Sequence, residues 1–274
     1  MKLYTRLLVV YLVLAAQYVA AVEIKGLYET EVTVPSQSRE DRNIAIREAL
    51  VNVFNRVGAS QEMMQDPGIR DALNNAAAYV NQYQYILAAD DSAASSAHKM
   101  RVSFAESALV ALIRSRGLAV WGKMRDNVLL WLVIKQQGRQ VLLNVEQNAE
   151  INKALQFATQ LKGIPVLLPL MDLEERRQVS VDDVGSADWE KLLLASRRYG
   201  VAAVLSGKLV RQRTCWRSEW TLSFNHKLEQ WRVPCENLNA NLSTAFQGVY
   251  KRLFDFYAVK PINVVNGTVM EGER

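Results

Sequence analysis

The stretch Arg39–Gly58 reads REDRNIAIREALVNVFNRVG and decides the fold of the first half of the chain. Its large apolar residues recur at intervals of three and four, so they fall on one stripe of an α-helix. The stripe consists of Ile46, Leu50, Val53, Phe54 and Val57. Ser38 followed by Asp41 predicts a capping box at the start, and Gly58 predicts the end. A helix this short depends on burial of its stripe, so the stripe needs a packed partner.

The patterns on either side of this helix predict an α/β (α+β) fold of two small mixed-sheet domains. The first domain, residues 22–120, has the order β-α-α-β-β-α and starts with one strand over Val22–Pro35. The second, residues 127–259, alternates strands with helices, and its segment Asn127–Ile134 is apolar on both faces like a central strand. Residues 260–274 are polar without a period, and we expect a flexible tail there.

The first 21 residues have the features of a secretory signal peptide. Lys2 and Arg6 precede an unbroken apolar run over Leu7–Ala16, and small residues end the segment at Ala21. We therefore expect export, with cleavage near Ala21. The alternative is an uncleaved helix that anchors the protein in the inner membrane, but the run is shorter than the roughly 20 apolar residues of a span.

The charge of the chain is mild. The net charge is +5, and loss of Lys2 and Arg6 with the signal would leave +3. The basic residues form no cluster of the kind that binds a phosphate backbone, so we expect no nucleic-acid partner.

The two cysteines, Cys215 and Cys235, are expected to form a disulfide. An even number of cysteines in an exported chain favours pairing. Apolar and polar residues alternate after Cys215, which predicts a strand, and a tight loop at Phe224–His226 lets the chain return beside it. This register brings the two cysteines within one residue of facing each other. Two reduced thiols are the alternative.

Several runs resemble one family. They are Val22–Pro35, Arg42–Gly58, Leu130–Ile134, Gly163–Glu174 and Tyr199–Leu209, with Trp216 and Trp220. Together they are similar to the proteobacterial exported proteins of domain-of-unknown-function family 2066 (DUF2066), in which we expect Asp at the position of Glu175. The resemblance covers nearly the whole mature chain and implies a periplasmic location but no activity.

Two looser resemblances concern the halves of the chain. The first half resembles small α/β domains of flagellar and other envelope assembly proteins. The second half resembles the amino-terminal domain of the Tol translocation protein. Both imply protein partners in the cell envelope, which is a fold-level analogy.

No constellation of catalytic residues is evident in the sequence. His98 and His226 are far apart in sequence and have no serine or cysteine nucleophile motif nearby. Neither histidine nor cysteine spacing suits a metal, and no glycine-rich loop opens a helix. We expect no catalytic residue, no metal and no cofactor.

Two groups of residues are binding candidates. Asp172 and Glu174 follow a predicted strand over Ile164–Leu168, at a position where α/β sheets bind ligands. They could serve as acid and base in glycoside cleavage, whereas the simpler interpretation is a helix cap and a solvated face. Trp216 and Trp220 would suit protein or glycan binding if exposed, and core packing if buried.

We therefore predict a non-catalytic interaction or assembly module of the cell envelope, in the periplasm or loosely attached to a membrane. The alternative is a carboxylate-based hydrolase that acts on cell-wall material through Asp172 and Glu174.

Overall fold

The computed structural model of the chain describes residues 21–58, 60–86 and 98–259. The predicted signal peptide, apart from Ala21, and the predicted tail over 260–274 lie outside these ranges. Among the described residues, no helix is long and apolar enough to cross a membrane.

The chain forms two compact units, and the predicted mixed α/β class is confirmed. Of the described residues, the first unit contains mainly those within Ile24–Lys123, with Leu161–Gly163 and residues 249–259. The second contains mainly those within Met124–Gln160 and Ile164–Gly248, with residues 21–23.

The first unit is a three-stranded antiparallel sheet with helices. Its elements are β2 (Glu29–Val34), α1 (Arg39–Val57), α2 (Ser60–Gln65), α3 (Pro67–Asn74), a 3-10 turn (Ala76–Tyr79), β3 (Val80–Ile86), β4 (His98–Phe104) and α4 (Glu106–Ser115). The strand order is β2-β4-β3, so β4, which comes last of these three strands in the sequence, lies in the middle of the sheet. Three helices and a 3-10 turn separate β2 from β3, where the predicted β-α-α-β-β-α order has two helices.

Helix α1 has the predicted bounds and buries the predicted stripe. Ile46, Leu50, Val53, Phe54 and Val57 are each at most 3% exposed and belong to the core of this unit. The Ser38 hydroxyl accepts a hydrogen bond from the Asp41 amide at 3.1 Å, which is half of the predicted capping box. The Asp41 carboxylate instead accepts from the Ser36 hydroxyl.

One local prediction in this region is wrong. The strand expected over Val22–Pro35 is broken by a turn at Gly26, where φ is +70°, into β1 (Val22–Glu23) and β2. The prediction that Gly58 ends α1 is confirmed, and its backbone there is extended. A Cβ at Gly58 would overlap the end of the Met63 side chain, which would have to move.

The second unit is built on a larger mixed sheet. Its elements are β5 (Met124–Arg125), which pairs with β1, then β6 (Val128–Gln136), β7 (Arg139–Leu142), α5 (Ala149–Lys162), β8 (Val166–Leu167), α6 (Leu173–Gln178), α7 (Val181–Gly185), α8 (Trp189–Ser196), a 3-10 turn (Arg197–Tyr199), β9 (Ala203–Gln212), β10 (Cys215–Phe224) and β11 (Lys227–Glu236). Helix α9 (Leu238–Tyr257) follows; its residues up to Gly248 belong to this unit and those from Val249 to the first.

The central strand is β6, as its apolar sequence predicts. The main sheet has the order β11-β10-β9-β6-β7, with β6 parallel to β9 and also to the short β8. Val128 to Ile134 are all buried, and the Trp131 indole donates to the buried Ser196 hydroxyl at 3.0 Å. The strand expected over Ile164–Leu168 shrinks to the two residues of β8.

The β10–β11 hairpin contains the disulfide between Cys215 and Cys235. Its turn is the two residues Asn225 and His226, both with positive φ, a geometry that matches the twist of the strands. A register shift between Trp216 and Ser218 accompanies the pairing near the disulfide.

Helix α9 buries one stripe, including Leu242, Phe246, Val249 and Leu253. Phe256 was expected on this stripe but is 55% exposed. The helix also carries Asn241, which is fully buried and hydrogen-bonded to the backbone oxygens of Trp216 and Pro234.

Candidate functional site

The candidate site lies where the loop after β8 meets the end of α8. The loop ends at Asp172, the N-cap of α6, whose carboxylate accepts a hydrogen bond from the Glu175 amide at 2.9 Å. The same carboxylate receives the guanidinium of Arg198 at 2.8 Å. Asp172 therefore joins a helix start to a residue that comes 26 positions later.

The inward-facing carboxylate of the site is that of Glu175, which is 1% exposed. Glu175 accepts hydrogen bonds from the Met171 amide at 2.7 Å and from the Tyr199 hydroxyl. The Tyr199 oxygen in turn accepts from the Leu170 amide at 2.8 Å. The loop is thus held at two successive amides, and Met171 has the strained φ of +54°.

The electrostatics of the cluster favour fixed charges. The amide of Glu175 and then the guanidinium of Arg198 lower the pKa of Asp172 below its usual 3.8. The hydrogen bond to Asp172 raises the pKa of Arg198 further. Burial and then the hydrogen bond to Glu175 raise the pKa of the Tyr199 hydroxyl, so this hydroxyl keeps its proton at neutral pH.

Three leucines at this place are exposed. Leu170 and Leu173 flank the cap and are 70% and 74% exposed, and Leu194 is 57% exposed. Leu194 lies in α8, four residues before Arg198, which belongs to the 3-10 turn that follows this helix. We call Leu170, Leu173 and Leu194 the leucine surface. The ion pair between Asp172 and Arg198 ties its two segments together.

The structure separates the four predicted binding candidates. Asp172 belongs to the cluster as a cap and ion-pair partner, whereas Glu174 points outward, with its side chain 70% exposed and its carboxylate 4.0 Å from Arg198. Trp216 and Trp220 are each 2% exposed. They pack in the second unit and do not form an exposed aromatic strip; the Trp220 ring meets Phe246 edge to face at 6.0 Å.

Sequence reasoning missed Glu175, Arg198 and Tyr199 as members of the site. The first two belong to charged runs that look like solvated helix faces. One signal was available for Tyr199, because it comes directly before Gly200, which has a left-handed backbone and ends the helical segment. A residue at such a terminus is held in a fixed position.

The described residues contain no group of three or more His, Cys, Asp or Glu side chains that could hold a metal ion. The polar groups of the cluster satisfy one another, and the arrangement fixes a loop and a helix end. The cluster joins the loop to the helix end through hydrogen bonds, and exposed apolar side chains lie on these two segments.

A family model described as a domain of unknown function, DUF8605, matches residues 21–122. The resemblance to DUF2066 is therefore wrong, because the family model that matches is a different one and it covers residues 21–122 only. No curated protein matches the chain in sequence.

Two solved structures show weak likeness. The C-terminal domain of LpoB from Salmonella enterica has 13% identity and a TM-score of 0.29, over 40% of this chain and 82% of that one. Protein VC0702 from Vibrio cholerae has 12% identity and a TM-score of 0.21, over 47% and 66%. Scores this low support no argument about function.

Proposed function

We propose that the protein is a non-catalytic interaction module of the bacterial cell envelope, and that it binds a partner protein through the leucine surface. The observation that carries the proposal is the exposure of Leu170, Leu173 and Leu194 beside a fixed cluster. Exposed leucines grouped next to polar residues are typical of surfaces that bind proteins. The chemistry of the partner follows: its contact surface is apolar.

Rigidity supports this proposal. Binding costs conformational entropy, and a surface already fixed in its bound shape loses less. Glu175 and Tyr199 hold the loop amides, and Asp172 and Arg198 hold the helix end. Arg198 is the shared cation of this cluster, at 2.8 Å from Asp172 and 3.5 Å from the buried Glu175.

The disulfide supports the proposed location in the periplasm. Disulfides persist in oxidising compartments and are rare in the cytosol. The bond between Cys215 and Cys235 and the signal-like first 21 residues point to the same compartment. Retention of that first segment as a membrane anchor is the competing possibility, and the mass of the mature protein separates the two.

The hydrolase alternative has less support from the geometry. A general acid needs a pKa near the working pH, which enzymes reach by raising the pKa of a carboxyl group. The pKa of Asp172 is instead lowered by the Glu175 amide and by Arg198. The variant that discriminates between the two functions is Asp172→Asn with Glu174→Gln. A hydrolase that uses these two carboxylates would lose its activity in this variant.

The test of the proposal is site-specific photocrosslinking in the cell from positions 173 and 194. We expect both positions to capture the same envelope protein. Position 228 is the matched control, because Leu228 is also a leucine exposed by 52% but lies on the β10–β11 hairpin. Equal capture from position 228, or capture of different proteins from positions 173 and 194, would contradict the proposal.

A further inference from the structure

A groove of about 640 Å³ lies elsewhere in the second unit, between α5, the β9–β10 turn and the start of α9. Its lining includes Lys153, Phe157, Arg211, Trp216 and Leu238. The volume falls in the range of sites that bind small ligands or short peptides. None of these residues belongs to the leucine surface.

One part of the groove is apolar. Phe157 is 55% exposed, and the largely buried Trp216 and Leu238 complete this part of the lining. An exposed phenylalanine next to buried apolar side chains offers a place for one apolar side chain of a ligand.

The other part of the groove is cationic. The guanidinium of Arg211 lies 5.1 Å from the centre of the Trp216 ring, which holds it by a cation–π contact. Neither Arg211 nor Lys153 forms an ion pair with any residue that the structure describes. Glu150 also lines the groove, so the three charged side chains together carry a net charge of +1.

The start of α9 adds to this positive end. Asn237 caps the helix by accepting a hydrogen bond from the Ala240 amide at 3.0 Å. The amides of Leu238 and Asn239, in the first turn, have no acceptor within the helix. Both residues line the groove, beside the two cations.

From this arrangement we infer that the groove binds the carboxyl-terminal end of a partner polypeptide that finishes in a large apolar residue. The terminal carboxylate meets Arg211, Lys153 and the first turn of α9, and the last side chain lies against Phe157 and Trp216. Arginine side chains and helix amino termini are established partners of carboxylates. The net charge of +1 matches one carboxylate and not a doubly charged phosphate.

This inference goes beyond the proposed function and does not depend on it. The two sites share no residue. A negative result for peptide binding at the groove therefore does not contradict protein binding by the leucine surface, and the reverse also holds. Variants at each site distinguish the two outcomes.

The experiment measures binding of a fluorescein-labelled hexapeptide ending in Leu-Phe to the full mature protein by fluorescence anisotropy. The same peptide with a carboxamide end is the matched ligand control. We expect the free carboxylate to bind at least about tenfold more tightly, since charge-assisted hydrogen bonds to it are lost in the amide. This comparison uses the unaltered protein and needs no variant to fold.

Variants then assign the site. Arg211→Gln should weaken binding of the carboxylate peptide about tenfold, whereas Arg213→Gln, an exposed arginine outside the groove lining, should leave binding unchanged. Glu150→Gln raises the net charge of the groove, so it should tighten carboxylate binding and let inorganic phosphate compete. Thermal melts of each variant establish that it is folded.

Several results would overturn the inference. They are equal binding of the carboxamide peptide, equal loss in Arg213→Gln, and the absence of binding at millimolar peptide. Full competition by inorganic phosphate with the unaltered protein would identify a general anion site instead. Binding of phosphatidylglycerol vesicles that depends on Arg211 would identify a lipid surface as the ligand.

Discussion

The hydroxyl of Tyr199 donates a hydrogen bond to Oε1 of Glu175, a carboxylate that is 1% exposed. The two residues are 24 positions apart, and their bond links α6 to the end of α8. Glu175 also accepts from the Met171 amide, and the Tyr199 oxygen accepts from the Leu170 amide, so the two residues together hold the loop that presents Leu170 and Leu173.

Removal of the Glu175 carboxylate should destabilise the second unit. Glu175→Ala leaves the Tyr199 hydroxyl and the Met171 amide without their acceptor in a largely buried place. We expect a loss of about 2–4 kcal/mol in the free energy of unfolding, measured by urea denaturation. Glu174→Ala is the matched control and should change it by less than about 0.5 kcal/mol, because Glu174 is 70% exposed. Equal effects of the two changes would contradict the assigned roles.

Gly207 should not tolerate a side chain. A Cβ at this position would overlap the Trp220 ring and lie 2.9 Å from Cδ1 of Leu132. Trp220 cannot move easily, since its indole donates to the Ser218 hydroxyl at 2.7 Å. We expect Gly207→Ala to cost about 1–3 kcal/mol in the free energy of unfolding.

Gly122→Ala is the control for this prediction. A Cβ at Gly122 meets nothing within 4 Å, so this change should be neutral or slightly stabilising. A melting temperature of Gly207→Ala that equals that of Gly122→Ala would show that the sheet and α9 are packed differently.

Stability at acid pH should depend on Asp183. Lys191 and the side chain and amide of Ser180 lower the pKa of this carboxyl group from 3.8 to about 2. The native state then binds fewer protons than the unfolded state, so the contribution is complete above 3.8 and is lost as the pH falls towards 2. We expect the difference in unfolding free energy between the natural protein and Asp183→Asn to be constant at higher pH and to shrink across this interval.

Asp182→Asn is the comparison for Asp183→Asn, since Asp182 makes none of these side-chain contacts among the described residues. The free energy of unfolding of Asp182→Asn should differ little from that of the natural protein at every pH measured. A difference for Asp183→Asn that grows as the pH falls would reverse the expected sign and contradict the ion pair with Lys191.

Loss of the disulfide should weaken the hairpin and with it the second unit. The bridge joins residues separated by 20 positions. For a loop of that size the chain-entropy model gives about 3 kcal/mol, and we expect this loss in Cys215→Ala with Cys235→Ala. The natural protein in reducing agent should behave like the double variant. If both unfold at the same urea concentration as the oxidised protein, the bond does not stabilise the fold.

The elements that the sequence predicts well are those whose signal is local. Helix α1 has its stripe within nineteen residues, and β6 is apolar on both faces. Phe256 continues the stripe of α9 and is nevertheless exposed, because what covers the end of a stripe depends on distant parts of the chain.

The candidate site shows the same limit. Three carboxylates, Asp172, Glu174 and Glu175, occur within four positions, and nothing in their order tells which one turns inward. That choice is made by Tyr199 and Arg198, which approach only after the chain has folded. The alternation around Trp216 and Trp220 predicts a strand, but only the packing of α9 decides that this face is buried.

We propose that the leucine surface binds an envelope protein other than a second copy of this chain. The most direct measurement is the size of the complex that contains the exported protein in gently solubilised cell envelopes. We expect a species larger than the purified protein, which is lost in Leu173→Asp with Leu194→Asp and kept in the control Leu228→Asp. A complex that persists in the double variant, or an equally large species formed by the purified protein alone, would contradict the account.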